Sequence, residues 1–326
     1  MQDKNKIFSI SGPEEFLKMA LEVFQFQYVN NKTYRQFCRL LNKDPELVTS
    51  LEEIPFLPIE FFKNQQIISS EDPVEITFTS SGTTGSQTSK HPVTNLEIYR
   101  KSFRKGFNTF YGNIEEFAVL ALLPSYLERE GSSLIYMVQD LIENSKNPHS
   151  GFYLNDLEAL RKKLIQLDEK GHKVLLIGVS FALLDLVEKH PFHLRKTVVM
   201  ETGGMKGRRK EMIRKELHQV LSDGFGVKKI HSEYGMTELL SQAYSRGDGV
   251  FDCPPWMKIL VRDPEDALQI LPKGKTGGLN IIDLANINSC SFIATQDLGK
   301  ESEDGKMEIL GRFDNSDIRG CNLMVL

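Results

Sequence analysis

The sequence predicts an α/β protein, with a mainly parallel, helix-covered sheet and a small antiparallel β-subdomain near the C-terminus. Between residues 74 and 204, short apolar runs such as VLLIG alternate with amphipathic stretches. Continuous apolar strands joined by helices are typical of a parallel sheet that is buried on both faces. After residue 245, short strand-like runs and turns follow one another without helical periodicity. We therefore expect an α/β core at residues 1–245 and a β-rich subdomain at residues 246–326.

The N-terminal region is predicted to be helical. Its apolar residues recur on one helical face, at Leu17, Ala20, Leu21, Phe24 and Tyr28. Ser11 and Glu14, just before this stretch, have the spacing of a capping box. A second short helix is predicted over residues 32–41. Residues 51–67 contain two prolines, which exclude one continuous helix, so we expect this segment to run extended.

Strands and helices then alternate along the chain. The predicted strands are 74–80, 116–126, 172–178 and 196–204, and the predicted helices are 95–107, 132–142, 155–171 and 180–190. Thr94 with Glu97, and Asn155 with Glu158, have capping spacing, and Gly171 is a suitable helix stop. In the β-rich part, strand-like runs occupy 257–263, 267–283, 289–299 and 306–312.

Composition excludes several classes of protein. The net charge of -4 over 326 residues gives no overall basic surface, so nucleic acid is not an expected partner. The four cysteines lack CxxC or CxxH spacing, which argues against a zinc site or a disulfide framework and for reduced thiols in the cytoplasm. No apolar stretch stands near the start, and Asp185 interrupts the longest apolar run, so neither a signal peptide nor a membrane span is expected.

A loop rich in Ser, Thr and Gly follows the first strand of the core. Glycines allow successive backbone N–H groups to converge on an anion, and the hydroxyl groups add further donors. These residues are Ser80, Ser81, Gly82, Thr83, Thr84 and Gly85. The loop is not a Walker motif, because no GK[ST] follows the second glycine. It is either a phosphate cradle or a flexible connection.

A second stretch, YGMTE at residues 234–238, combines three kinds of functional group. The Tyr234 ring can stack on a base, the Thr237 hydroxyl can bond a phosphate oxygen, and the Glu238 carboxylate can hold Mg²⁺. The alternative is an ordinary helix start with an acidic residue in its first turn.

Five motifs occur in one order: TSSGTTGS, METGGMKG, YGMTE, TQDLG and GRFDNSDIRG. Their order and spacing resemble the acyl-adenylate-forming superfamily of acyl-CoA synthetases, peptide-synthetase adenylation domains and luciferases. The chain looks most like the acyl-protein synthetase (LuxE-type) branch, through IPFLPIEFFK, LLPSYLEREGSSL, GGMKG, PPWMK and IRGCNLMVL. This resemblance implies an adenylate-forming fold. It also implies an enzyme that activates a fatty acid with ATP and Mg²⁺ and then carries the acyl group as a thioester.

The resemblance also assigns roles to matching residues. The loop at Ser80–Gly85 would line the ATP phosphates. The other implied contacts are Gly203, Gly204 and Tyr234 for adenine, Thr237 for the α-phosphate, Glu238 for Mg²⁺, and Asp297 and Arg312 for the ribose. The acid's carboxylate would attack the α-phosphorus, with fixed donors and cations stabilising the spreading charge.

The sequence departs from the larger superfamily members at its end. It stops at Leu326, so we expect the C-terminal small domain and its catalytic lysine to be absent. Lys206 is the candidate for the missing cation, with Lys90 second, and a solvated lysine is the alternative for both. Cys321 is the candidate acyl acceptor, since a thiolate beside Arg319 would be a good nucleophile, although a buried apolar cysteine is the alternative.

The expected substrate is a fatty or other carboxylic acid. The expected partner proteins are an acyl carrier protein or a reductase or acyltransferase subunit, and the basic run at 206–217 would suit an acidic carrier or simply a solvated face. Two rival functions remain. One is acyl transfer to coenzyme A or a carrier protein, and the other is a non-catalytic nucleotide- or acyl-binding subunit of a multi-enzyme complex.

Overall fold

The computed structural model describes residues 4–81, 87–124, 131–203 and 212–312. The backbone divides into two compact units. The first comprises Met1–Ser102, Thr237–Ser241 and Phe251–Leu326, and the second comprises Phe103–Met236 and Gln242–Val250. The boundary that the sequence suggests at residues 245 and 246 remains a prediction.

The first unit begins with a 3-10 helix (Lys4–Ser9), and its α-helices include α1 (Pro13–Asn30), α2 (Lys32–Leu40) and α3 (Phe61–Asn64). Helices α1 and α2 confirm the predicted helices. The predicted capping box is wrong, because Ser11 donates its N–H and hydroxyl to Glu15, at 2.8 and 2.9 Å, rather than pairing with Glu14. Gly12 is the N-cap, and Pro13 starts the helix with a fixed φ and no N–H to satisfy.

A two-stranded hairpin carries the Ser/Thr/Gly loop. Strand β2 (Ile76–Thr79) confirms the predicted strand, and it pairs antiparallel with β3 (Lys90–Val93), which was not predicted. Ser80 and Ser89 extend the pairing by one step, since the Ser80 N–H donates to the Ser89 carbonyl at 3.1 Å and the Ser89 N–H donates to the Ser80 hydroxyl at 2.9 Å. The two ends of the loop are therefore fixed next to each other.

The predicted antiparallel β-subdomain is confirmed in the first unit. The short strand β10 (Val250–Asp252) precedes it along the chain. The strands of the subdomain are β11 (Met257–Arg262), β12 (Thr276–Asp283), β13 (Phe292–Glu301) and β14 (Met307–Arg312), each antiparallel to the next. Strand β1 (Leu57–Pro58) pairs parallel with β13, so the proline-containing segment runs extended there. The prediction is wrong for Phe61–Asn64, which form α3, because both prolines precede that turn and leave it free to become helical. A short 3-10 helix, Leu284–Asn288, joins β12 to β13, and all of its residues are buried.

The second unit holds the predicted parallel sheet. Its strands are β4 (Phe117–Leu122), β5 (Gly151–Phe152), β6 (Lys173–Val179), β7 (Thr197–Thr202) and β8 (His231–Tyr234), with β9 (Ala243–Ser245) antiparallel to β8. Every residue of β4 is buried, as expected for a strand covered on both faces.

Helices α5 (Ser133–Ser145), α6 (Leu157–Glu169), α7 (Ser180–Lys189) and α8 (Arg214–Phe225) belong to the second unit, and the unit boundary falls within α4 (Leu96–Tyr111). Two predicted caps are wrong by one residue. Asn95 rather than Thr94 caps α4, and Asp156 rather than Asn155 caps α6, because the capping oxygen must stand directly before the first helical residue. In the part of the chain that the structure describes, no helix has the length and apolarity needed to cross a membrane.

Candidate active site

The loop hairpin is bonded to the Thr237–Glu238 turn. Ser89 directly precedes β3 and continues its pairing, and His91 lies two residues further on, so the two side chains point to the same face, and both are buried. The Ser89 hydroxyl donates to the Glu238 carboxylate. The His91 ring places Nδ1 2.9 Å from the carbonyl oxygen of Thr237. The structure therefore brings the loop ends, Thr237 and Glu238 together in the first unit.

The turn itself is not a helix, so the alternative interpretation of YGMTE as a helix start is wrong. Side chains from the segment around the 3-10 helix hold its backbone. Asn286 Nδ2 donates to the Glu238 carbonyl at 2.7 Å. Asp283 Oδ2 accepts from the N–H groups of Leu240 and Ser241, each at 2.8 Å. These contacts fix the direction in which the Glu238 side chain leaves the backbone.

Glu238 is a buried carboxylate among charged neighbours, with 5% of its surface exposed. Burial raises its pKa above the ordinary value, the Ser89 hydrogen bond and the Arg312 charge oppose that shift, and Asp297 adds to it. Asp297 and Arg312 face each other as a register pair between β13 and β14. Three of the predicted residues, from TQDLG, GRFD and YGMTE, therefore lie within electrostatic reach of one another.

This arrangement fits Mg²⁺ bound together with nucleotide phosphates. Among the described residues, no group of three or more His, Cys, Asp or Glu side chains could enclose a metal ion. Mg²⁺ in nucleotide sites typically uses one or two carboxylates and completes its shell with phosphates and water. A buried carboxylate next to a second acidic residue supplies that donor set and would be stabilised by a divalent cation. Glu238 would hold the ion.

The structure describes only some of the predicted site residues. Ser80 and Ser81 stand at the end of β2 where the loop begins. The remaining predicted residues, Gly82, Thr83, Thr84, Gly85, Gly204, Lys206 and Cys321, lie outside the described residues. The roles assigned to all of these positions stay predictions.

The two predicted adenine residues of the second unit lie at the carboxyl ends of neighbouring parallel strands. Gly203 follows β7 with a φ of 66°, a conformation that favours glycine, and its carbonyl accepts from the Ser180 hydroxyl at 2.7 Å. Tyr234 ends β8 and is half-buried. The carboxyl edge is where open α/β sheets bind ligands. The adenine role of Gly203 and Tyr234 stays a prediction.

Sequence reasoning missed a buried acidic pair at the same edge of that sheet. Burial alone would raise the pKa of Glu201, but His218 and Arg214 outweigh it and hold that pKa below the ordinary value. Burial raises the pKa of Glu233 to about 7, although the Thr202 hydroxyl donates to it at 2.5 Å. In the sequence, the feature that could have pointed to this pair is that both acidic residues stand next to the ends of strands.

Replacing Glu233 by Gln should flatten the pH dependence of stability. The pKa of this carboxyl rises from 4.5 to about 7 on folding, so the folded protein holds the proton more tightly. The resulting stabilisation is complete below about pH 4.5 and is lost as the pH rises to 7. Between pH 5 and pH 8, the wild-type free energy of unfolding should fall by about 2–4 kcal/mol more than that of Glu233→Gln.

Urea denaturation followed by circular dichroism at several pH values measures this difference. Glu216→Gln is the control, since Glu216 is exposed on α8. The same pH slope in wild type and Glu233→Gln would contradict the burial argument.

The described cysteines are poor nucleophiles. Burial raises the pKa of Cys38 to about 12, and burial together with Asp252 raises that of Cys253 to about 12. Burial likewise raises the pKa of Cys290 far above the ordinary value. A thiol must ionise to attack an acyl group, so none of the three is suited to accept one near neutral pH.

The sequence matches the family model described as "Acyl-protein synthetase, LuxE" over residues 8–128 and 132–326. A protein of Vibrio harveyi named long-chain-fatty-acid--luciferin-component ligase is 26% identical over 330 residues, covering 94% of this chain and 86% of the relative. A protein of the same name from Aliivibrio fischeri is 25% identical over 338 residues, with the same two coverages of 94% and 86%.

Solved structures share the fold. An open conformation of 2-hydroxyisobutyryl-CoA ligase in complex with 2-HIB-AMP and CoA gives a TM-score of 0.66 at 13% identity, covering 93% of this chain and 70% of that one. The ATP-bound RpMatB-BxBclM chimera B1 gives a TM-score of 0.56 at 18% identity. The match covers 74% of this chain and 48% of the chimera, so this chain spans about half of the chimera's length. At these identities the likeness shows the fold alone, and it confirms the predicted fold class.

Proposed function

The chain belongs to the acyl-protein synthetase (LuxE) family, and from that membership we propose that it is an AMP-forming acyl ligase. It adenylates a fatty or other carboxylic acid with ATP and then passes the acyl group to a thiol, with Cys321 as the acceptor. The names of the Vibrio and Aliivibrio relatives, which specify a long-chain fatty acid, support a fatty acid as the substrate.

One observation in the first unit supports this proposal above all. The buried Glu238 carboxylate is joined through Ser89 to the strand that closes the Ser/Thr/Gly loop, and it lies in the field of Arg312 and Asp297. Burying a carboxylate costs free energy that only fixed partners or a bound cation can offset. A nucleotide with its Mg²⁺ is the ligand that this combination of groups fits.

The first chemical step is a displacement at the α-phosphorus of ATP. A carboxylate oxygen of the acid forms a bond to that phosphorus, the bond to the bridging oxygen of the β-phosphate breaks, and pyrophosphate leaves with the electron pair. The Thr237 hydroxyl donates to an α-phosphate oxygen, and the backbone N–H groups of the loop hold the β- and γ-phosphates. Glu238 would hold Mg²⁺, which would supply positive charge close to the phosphate oxygens. These groups act mainly by positioning and electrostatic stabilisation.

The second step transfers the acyl group to sulfur. A thiolate forms a bond to the acyl carbon, the bond to the phosphate oxygen breaks, and AMP leaves. The thiol must first lose its proton, which the raised pKa values of Cys38 and Cys253 oppose. Cys321 is therefore the proposed acceptor in this chain, and coenzyme A or a carrier-protein thiol is the competing one.

The function is tested by incubating the protein with Mg·ATP and radiolabelled fatty acids of several chain lengths. We expect acyl-AMP and pyrophosphate to form, and ATP–pyrophosphate exchange to depend on the acid. If no acid yields acyl-AMP while ATP still binds, the ligase proposal falls and the non-catalytic binding subunit replaces it. Acyl-AMP without label on the protein would transfer the acceptor role to a separate thiol.

Lys206 is proposed to supply the cation near the reacting carboxylate. Lys206→Met should therefore lower the rate of acyl-AMP formation by about tenfold or more, because one fixed charge near the transition state is lost. Lys258→Met is the matched control, since Lys258 is exposed on β11 and has no proposed role in the site. Single-turnover acyl-AMP formation compares the two variants with wild type. An unchanged rate in Lys206→Met, or an equal loss in both variants, would contradict this role.

A further inference from the structure

We infer that His91 is a positioning residue, whose ring fixes the Thr237 carbonyl and thereby the direction in which Thr237 and Glu238 face the phosphates. This inference rests on the proposed function for its catalytic meaning. The contact joins residues 146 positions apart in the sequence, so it is a product of the fold.

The contacts determine the tautomer of the ring. A carbonyl oxygen can only accept, so His91 Nδ1 carries the proton and donates to Thr237 at 2.9 Å. Nε2 is then the acceptor, and the Ser289 hydroxyl donates to it at 2.8 Å. The Ser289 hydroxyl could instead donate to the Asn286 carbonyl, but that distance is 3.3 Å, so the bond to Nε2 is the shorter of the two. Burial lowers the pKa of His91 to about 4, which keeps the ring neutral near pH 7.

The surroundings hold the ring in one orientation. His91 is fully buried, and the Phe62 ring packs edge-on against it with centroids 5.5 Å apart. The carbonyl of Ser289 accepts from Asn31 Nδ2 at 3.0 Å and from the Ser69 hydroxyl. Ser289, whose hydroxyl bonds Nε2, is thus itself held by the residue between α1 and α2 and by the segment after α3.

The bond acts on the peptide group between Thr237 and Glu238, the two residues proposed to contact the α-phosphate and Mg²⁺. Asn286 holds the next carbonyl, that of Glu238, and Ser89 holds the Glu238 side chain. The His91 bond therefore restrains rotation of the Thr237–Glu238 peptide. Loss of an orienting hydrogen bond behind a ligand typically costs 10- to 100-fold in affinity or activity, and small displacements of positioning groups are similarly costly.

Two substitutions separate the two ring nitrogens. His91→Asn retains an amide N–H near the position of Nδ1, so it can still bond Thr237. His91→Gln retains one near the position of Nε2, so it can contact Ser289 but not Thr237. His91→Phe keeps a ring and removes both bonds. All three are compared with wild type at a temperature where each is shown to be folded by circular dichroism.

The expected result is a rescue specific to Asn. The Kd for Mg·ATP, measured by calorimetry without any acid, should rise about tenfold in His91→Gln and His91→Phe and stay within about threefold in His91→Asn. The rate constant for ATP–pyrophosphate exchange should follow the same order. If the Kd and the exchange rate constant were equal in His91→Asn and His91→Gln, or if His91→Gln matched wild type, the positioning role would be overturned. His91 would then be a stabilising core residue.

Measuring both the Kd for Mg·ATP and the rate of ATP–pyrophosphate exchange separates a failure of this inference from a failure of the proposed function. A wild-type protein that binds Mg·ATP but catalyses no exchange would defeat the ligase proposal, while the Kd comparison would still decide the role of His91. A wild-type protein that binds no Mg·ATP would overturn both.

Discussion

Glu238→Gln is expected to lower acid-dependent ATP–pyrophosphate exchange by about 10²- to 10³-fold, the loss typical of removing one fixed electrostatic group from a transition state. The amide has the shape of the carboxylate and can still accept from Ser89, so the turn should keep its structure. What disappears is the negative charge that is proposed to hold Mg²⁺. The defect should therefore grow at low Mg²⁺ concentration and diminish when Mg²⁺ is raised.

Thr237→Ala is the companion variant, because it removes the hydroxyl proposed to bond the α-phosphate and leaves the backbone carbonyl that His91 holds. It should lower exchange without the Mg²⁺ dependence. Glu46→Gln, at an exposed position of the same unit, is the control for loss of a carboxylate. Wild-type exchange in both Glu238→Gln and Thr237→Ala would defeat the assignment of this site.

Cys321→Ser is expected to abolish acylation of the protein itself while acyl-AMP still forms. Serine keeps the size of the side chain but is a far weaker nucleophile at neutral pH, since its hydroxyl does not ionise. Wild-type protein incubated with Mg·ATP and radiolabelled fatty acid should retain label that hydroxylamine releases, as a thioester does. The variant should retain none and should accumulate acyl-AMP.

Cys253→Ser is the matched control, because Cys253 is the least buried of the described cysteines and burial with Asp252 raises its pKa to about 12. Its label should equal that of wild type. Label that persists in Cys321→Ser and disappears in Cys253→Ser would reassign the acceptor. Acyl-AMP without label in wild type would indicate coenzyme A or a carrier protein as the acceptor.

The elements whose signal is local could be read from the sequence. The helices around Leu17 and Leu160 and the apolar strands β4 and β6 were predictable, because helical periodicity and buried runs arise within one element. Strand β3 was not, because Lys-His-Pro-Val shows no alternation and contains a proline. The three caps were misplaced by one residue, since spacing alone does not show where the first helical turn begins.

The candidate site divides in the same way. Thr237 and Glu238 were singled out in advance from their residue types, and Asp297 and Arg312 through the resemblance to the adenylate-forming superfamily, while the roles of all four stay predictions. His91, Asn286 and Asp283 were not singled out, because an isolated His, Asn or Asp carries no signal until the fold places it against a backbone group. Glu233 was missed for the same reason, since its raised pKa comes from burial that no local pattern reveals.

The sequence by itself determined the fold class, the order of the motifs and the chemistry of the groups that they supply, because these depend on local periodicity and residue type. The tertiary structure alone decided which groups meet: Ser89 with Glu238, His91 with Thr237, and Asp297 opposite Arg312. Such contacts depend on strand register and on burial, and both arise only when distant segments pack together.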